Sequence, residues 1–220
     1  MICLICHSWD TNIFIEKPDI FICSNCNNAF RKPDSNEANY TTKIPMPDFF
    51  STILRNMHHY KFIEKNLGFN NIKSILEIGS GNGALIRYIR KKHKEIAITT
   101  IEPGMIFCEK LRRIKNVTVI NDYIEKIQIN NKFDLVIMSH VLEHLENPLQ
   151  TIKYVYKEFL SNGSVLYIDI PNKDYELRNK SSANMAPIMH LFFFSGLGIR
   201  SLLNIVGFKN ENIVGNKYST

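Results

Sequence analysis

The chain has 220 residues, 45% of them hydrophobic, enough for one substantial core plus a small module, so it should fold. A net charge of +6 leaves nucleic acid or an anionic substrate open as partners, but the basic runs Arg87 to Lys94 and Lys110 to Lys115 fall at helical spacing and read as solvated helix faces. No window reaches the roughly 18 apolar residues that cross a bilayer, and no basic-then-apolar leader opens the chain, so the expectation is a soluble cytoplasmic protein without a membrane span.

Residues 1–32 form the first expected unit. Cys3-Leu4-Ile5-Cys6 is followed after sixteen residues by Cys23-Ser24-Asn25-Cys26. Two Cys-x-x-Cys pairs at this separation match a zinc ribbon, each pair giving two thiolates to one tetrahedral ion. Ile13-Phe14-Ile15 and Ile20-Phe21-Ile22 flank Lys17-Pro18-Asp19 and read as the hairpin that brings the pairs together. Four thiolates leave no open coordination position, so the expected zinc is structural and supports a segment too small for its own core. The fifth cysteine, Cys108, stands alone.

Residues 33–48, with Pro33, Pro45 and Pro47, read as a linker. Phe49 to Leu67 carries apolar residues at a helical period and should pack beside the first strand of a larger domain, residues 49–220. His58 and His59 lie on this helix and receive no role. Ser74-Ile75-Leu76-Glu77-Ile78 is a short, mostly apolar run that suits a buried parallel strand, and Gly79, Gly81 and Gly83 follow at once. Alternate glycines permit positive φ and let a ligand lie on the backbone, with the amides of the next helix aimed at it. Strand Ile96 to Ile101 ends in Glu102, where doubly wound folds place the acid that holds ribose hydroxyls. Gly-x-Gly-x-Gly is one residue short of the dinucleotide fingerprint, so no pyrophosphate turn is expected.

The alternation of strand and helix continues, which implies an α/β fold, Rossmann-like and doubly wound, with a mostly parallel sheet. After a fourth strand, Asn147-Pro148 caps a helix with one apolar face that ends at Asn162-Gly163, and Val165 to Ile170 is the fifth strand. Pro171 to Pro187 is polar and aperiodic, a candidate substrate lid carrying Lys173, Arg178 and Lys180. Ser195 to Val206 is a last helix closed by Gly207, and one strand fits around Asn212 to Gly215.

In these motifs the sequence resembles the class I S-adenosylmethionine-dependent methyltransferases. Leu76-Glu77-Ile78-Gly79-Ser80-Gly81-Asn82-Gly83 is similar to their first motif, Glu102 to their ribose acid, and Val119-Ile120-Asn121-Asp122-Tyr123 to the segment that holds adenine. Phe133 to His144 looks like the fourth strand and its loop. The resemblance implies S-adenosyl-L-methionine as cofactor. Glu77 would organise its methionine end, with Gly79, Gly81 and Gly83 beneath it. Asp122 and Tyr123 would lie at the adenine, and Ser139 and His140 at the adenosyl border. The family's sheet usually ends in an antiparallel pair. Here that strand is absent, the sequence is shortened, or a partner covers the edge.

Within the family the chain is similar to bacterial members that modify sugars, nucleotide-linked precursors or surface-polysaccharide components. That implies methyl transfer to O or N of a small polar, anionic acceptor. Two histidines are candidates for the proton acceptor: His144, one turn after His140, and His190, in Met189-His190-Leu191-Phe192-Phe193-Phe194-Ser195, which resembles a Glu-His-x-x-x-Phe-Ser element. Met189 stands where that element has glutamate. An RNA methyltransferase with a zinc ribbon is the alternative, although no interleaved basic and aromatic stretch suggests a nucleic-acid surface.

Overall fold

A computed structural model describes residues 1–15, 20–31, 49–173, 190–209 and 214. The expected turn at 17–19, the linker at 33–48, most of the expected lid with Arg178 and Lys180, Met189, and all of the 212–215 strand except Val214 lie outside the described residues. The chain forms two compact units, each drawn from separated stretches: Asn39–Ser139 with Lys157–Ile168, and Met1–Ala38 with His140–Tyr156 and Asp169–Thr220.

The first unit is built on a five-stranded sheet. Its strands are β4 (Ser74–Ile78), β5 (Ala97–Ile101), β6 (Val117–Ile120), β7 (Leu135–Ser139) and β8 (Val165–Asp169), in the order β6-β5-β4-β7-β8. β5 and β7 both pair parallel to β4, so the sheet reverses its winding at β4, the earliest of its strands in sequence. Ligands in open α/β sheets lie beyond the carboxyl ends of strands at such a reversal. Asp134 fixes the β4 edge: Oδ2 accepts from the amides of Lys73 and Ser74 at 2.8 and 2.9 Å and from Ser74 Oγ at 3.0 Å.

Three helices belong to this unit: α1 (Phe49–Asn66), α2 (Ala84–Lys92) and α3 (Met105–Arg112). Ile63 of α1, Leu85, Ile86 and Ile89 of α2 and Leu111 of α3 share one buried cluster with Ile75, Ile98, Leu135 and Ile137 of the sheet. Tyr60 stacks on Phe69 at 5.4 Å, and Phe69 on His93 at 4.3 Å, closing one side of the core. Basic residues fill the last turns of α2 (Arg90, Lys91, Lys92) and α3 (Lys110, Arg112), where they complement the helix dipole.

The second unit holds an antiparallel sheet, β1 (Thr11–Ile15), β2 (Ile20–Cys23), β3 (Ala29–Arg31) and β9 (Phe192–Phe193), in chain order. β1 and β2 are the expected hairpin. β9 was not expected: Phe192 and Phe193 were read only as part of a motif, yet they pair with Phe30 and Ala29. All four of these residues are buried, and Phe30 stacks on Phe192 at 6.3 Å. Burial of this aromatic run on both faces is what turns it into a strand.

Two more helices lie among the described residues. α4 (Pro148–Phe159) starts as expected, with Asn147 Oδ1 accepting from the amide of Gln150 at 3.2 Å. α5 (Gly196–Val206) is capped by Ser195, whose Oγ accepts from the amide of Gly198, and ends at Gly207 with φ 108°.

Candidate functional site

Three groups of residues carry chemistry. The first lies in the sheet unit, at the carboxyl ends of β4 and β5. Gly79, Gly81 and Gly83 all have positive φ, 73°, 51° and 73°, which makes the turn between β4 and α2 one that a side chain would strain. Gly83 is constrained twice, because an added Cβ would meet Leu111 Cδ2 at 2.6 Å.

Glu102 follows β5 directly and is 6% exposed. Its carboxylate accepts from the amides of Gly81 and Gly104, each at 2.8 Å, so it braces the glycine turn against the start of α3. Burial raises its pKa, and these two bonds oppose the shift. One bond on each oxygen leaves a further lone pair on each, the pattern required to accept from a pair of vicinal hydroxyls. Asn121 donates to the carbonyls of Glu102 and Pro103 and fixes the backbone beside this carboxylate.

Glu77, on β4, is 4% exposed, and its Oε2 has no hydrogen-bond partner among the described residues. Burial pushes its pKa up to about 8; Ser80 opposes the shift and the nearby charge of Glu102 adds to it. A buried carboxylate oxygen without a partner is costly unless a cationic or donor group completes it. The methionine end of S-adenosylmethionine offers such a group, so Glu77, the glycine turn and Glu102 fit that cofactor.

Asp122 and Tyr123 follow β6. Asp122 Oδ1 accepts from the amide of Tyr123 at 2.8 Å, which leaves Oδ2 available, and Tyr123 is 40% exposed. Ser139 ends β7, and its Oγ lies 3.3 Å from Nδ1 of His59, a buried residue that also packs on Tyr167. Sequence reasoning gave His59 no role because adjacent histidines on an amphipathic helix usually mark a rim.

The second group belongs to the other unit. His140 has φ 53°, a left-handed backbone unusual for histidine, and its amide donates to the carbonyl of Asp169 at 2.9 Å. Its ring lies between two carboxylates: Nδ1 is 3.2 Å from Glu143 Oε1, and Nε2 is 3.2 Å from Asp169 Oδ2. His144 closes a 3-10 turn, Leu142–His144, and its ring packs edge-on against His190 with centroids 4.8 Å apart. The structure thus brings the two candidate histidines together, and it adds Glu143, which sequence reasoning passed over. The signal was present as His140 and Glu143 three residues apart. Lys173, expected on the lid, is instead 6% exposed, and its Nζ donates to Asn27 Oδ1 at 2.8 Å.

The third group is Cys3, Cys6, Cys23 and Cys26, whose Sγ atoms all lie within 4.8 Å of one another. Cys3 to Cys26 and Cys6 to Cys23 are each 3.6 Å. Sulfurs about 2.3 Å from a tetrahedral zinc stand about 3.8 Å apart, so the cluster has the dimensions of that ion's shell. The two knuckles repeat one geometry: His7 and Asn27, each following the second cysteine of its pair, both have φ 57° and donate to the carbonyls of Cys3 and Cys23.

Comparison with known proteins bears on the fold and the family. Residues 49–213 match the family model described as Methyltransferase domain. Malonyl-(acyl-carrier protein) O-methyltransferase of Priestia megaterium is 28% identical over 155 residues, which cover 69% of this chain and 57% of that protein. The chain therefore spans little more than half of that relative's length. The fold is similar to plantazolicin methyltransferase BpumL in complex with a monoazolic desmethylPZN analog and SAH, with TM-score 0.58, 20% identity, and coverage of 71% of this chain and 63% of that one. It is also similar to coclaurine N-methyltransferase bound to N-methylheliamine and SAH, with TM-score 0.55, 18% identity, and coverage of 69% and 48%. The chain belongs to the methyltransferase domain family, as a class I S-adenosylmethionine-dependent methyltransferase domain.

Proposed function

We propose that this chain transfers a methyl group from S-adenosylmethionine to an oxygen or nitrogen of a small polar acceptor. The observation that carries the reading is the Glu102 carboxylate, buried at the end of β5 and bonded to Gly81 and Gly104, beside a turn of three positive-φ glycines. The cofactor supplies an electrophilic methyl on a sulfonium. Glu102 holds the ribose hydroxyls, Glu77 completes its unpartnered oxygen on the methionine end, Asp122 and Tyr123 border the adenine, and Ser139 and His140 the adenosyl part.

Acceptor activation falls to His144 and His190. For a hydroxyl acceptor one imidazole takes the proton while the oxygen bonds to carbon. A free amine needs only positioning. The relatives named above are a malonyl-(acyl-carrier protein) O-methyltransferase, a plantazolicin methyltransferase and a coclaurine N-methyltransferase, and their names give no single acceptor. For this chain we favour a sugar, nucleotide-linked or phosphorylated precursor of surface polysaccharide. The four cysteines hold one structural zinc, which links two knuckles that sequence alone leaves sixteen residues apart.

The test is a methylation screen of nucleotide-linked sugars and phosphorylated small molecules, run beside a salt titration of binding to bulk RNA. Turnover of a small acceptor, with a loss of about 100- to 10,000-fold in His190→Ala or His144→Ala, is the expected result. Methyl incorporation into RNA, with steeply salt-dependent binding and no small-molecule turnover, would replace it with an RNA methyltransferase.

A further inference from the structure

Glu143 is 1% exposed, and neither of its carboxylate oxygens accepts a hydrogen bond from the described residues. Two histidines stand beside it: His140 Nδ1 at 3.2 Å and His144 Nε2 at 3.9 Å from Oε1. One ligand atom each from Glu143, His144 and His190 lie within 4.8 Å of one another. We propose that these three residues bind a divalent first-row transition ion, at a site separate from the four cysteines and completed by the acceptor's oxygen.

The backbone builds this site from two distant stretches. Glu143 and His144 share the 3-10 turn, and the amide of Leu191 donates to the Glu143 carbonyl at 2.8 Å, which brings His190 to the turn. Phe193, buried in β9, packs on the His190 ring at 6.2 Å and limits its rotation. Behind the carboxylate, His140 stands between Glu143 and Asp169, as an outer group that orients a metal-ligating side chain. His144 is 30% exposed, which leaves the cluster open on one side.

The donor set fixes the chemistry. Two imidazoles and one carboxylate suit manganese, iron, cobalt or zinc and leave coordination positions for an oxygen ligand, whereas four thiolates suit zinc without an open position. Ligands about 2.0 to 2.2 Å from an ion stand about 3.3 to 3.6 Å apart in a tetrahedron, so the cluster tightens by at most about 1.5 Å on loading, within the swing of an imidazole.

The inference rests on the reading that the acceptor meets His144 and His190 and changes their role there: as ligands they hold the ion, and the proton passes to solvent rather than to an imidazole. An acceptor hydroxyl bound to the ion loses its proton to solvent more readily. Its oxygen pair then forms the bond to the methyl carbon, while the pair of the broken C–S bond stays on sulfur.

The experiment titrates manganese(II) into the full chain carrying one equivalent of zinc, which the four thiolates take ahead of the histidine site, following the loss of the free-ion paramagnetic resonance signal. Manganese avoids thiolate sites, so the two sites are read separately. One saturable manganese per chain is expected, weakened at least tenfold in Glu143→Gln and His190→Asn, with zinc content intact as the check on folding. No saturable site in the wild-type chain, or equal affinity in both variants, overturns the proposal, and the wild-type result decides even if a variant misfolds. Methyl transfer that proceeds without added manganese and falls in His190→Asn, in a chain that binds none, would sink the metal site and leave the proposed function standing.

Discussion

Glu77 sits where a charge is least welcome unless a ligand answers it. Its pKa in the folded chain is pushed up to about 8 by burial, against about 4.3 in an unfolded one. The folded state therefore binds the extra proton between these values, and apo stability falls as pH rises from about 4.3 through about 8. Glu77→Gln removes the penalty. By urea denaturation the cofactor-free variant should match the wild type near pH 4 and exceed it at pH 8 by on the order of a few kcal/mol. The same stability difference at both pH values would contradict a buried, unpartnered carboxylate.

At this scale the sequence was informative where chemistry is local. The glycine turn and Glu102 could be read because a strand, a glycine alternation and an acid recur at fixed spacing. Glu143 could not, since its significance arises from His190, 47 positions away, reaching its turn through the Leu191 amide. His59 was missed for the same reason, its partner Ser139 lying 80 positions along the chain.

Among the elements, α5 shows how the cysteine knuckles are secured. Asn28 is fully buried; its Oδ1 accepts from the amide of Ser195 at 3.0 Å, and Ser195 Oγ donates to the carbonyl of Cys26 at 3.1 Å. Gly198, on the first turn of α5, passes so close that an added Cβ would stand 1.8 Å from Asn28 Oδ1. Gly198→Ala should lower stability by about 1 to 3 kcal/mol through overpacking. Gly196→Ala, where an added Cβ meets nothing within 4 Å, should be close to neutral. Equal thermal shifts for the two would argue against this packing. The sequence marked α5, its serine cap and its glycine stop, because those signals are local. Pairing of β9 with β3 left no trace in it, since Phe192 and Phe30 meet across 162 positions and aromatic runs suit many contexts.

For the whole molecule, a mostly parallel central sheet was implicit in the alternation of strand and helix, whereas the interleaving of two compact units from five stretches of chain was not. Given one equivalent of zinc, the chain should retain it at the four cysteines, and Cys23→Ser should lose it from that site while destabilising the unit that holds β1 to β3 more than the central sheet. A metal-free chain with those strands intact by hydrogen exchange would rule out the structural zinc. The most direct test of the central claim is calorimetric titration of S-adenosylhomocysteine into the wild-type chain and Glu102→Ala. One binding site in the wild type, weakened by about 1.5 to 3 kcal/mol in the variant, is expected for a charge-assisted bond to the ribose. No binding to the wild-type chain, or an unchanged affinity in Glu102→Ala, would contradict it.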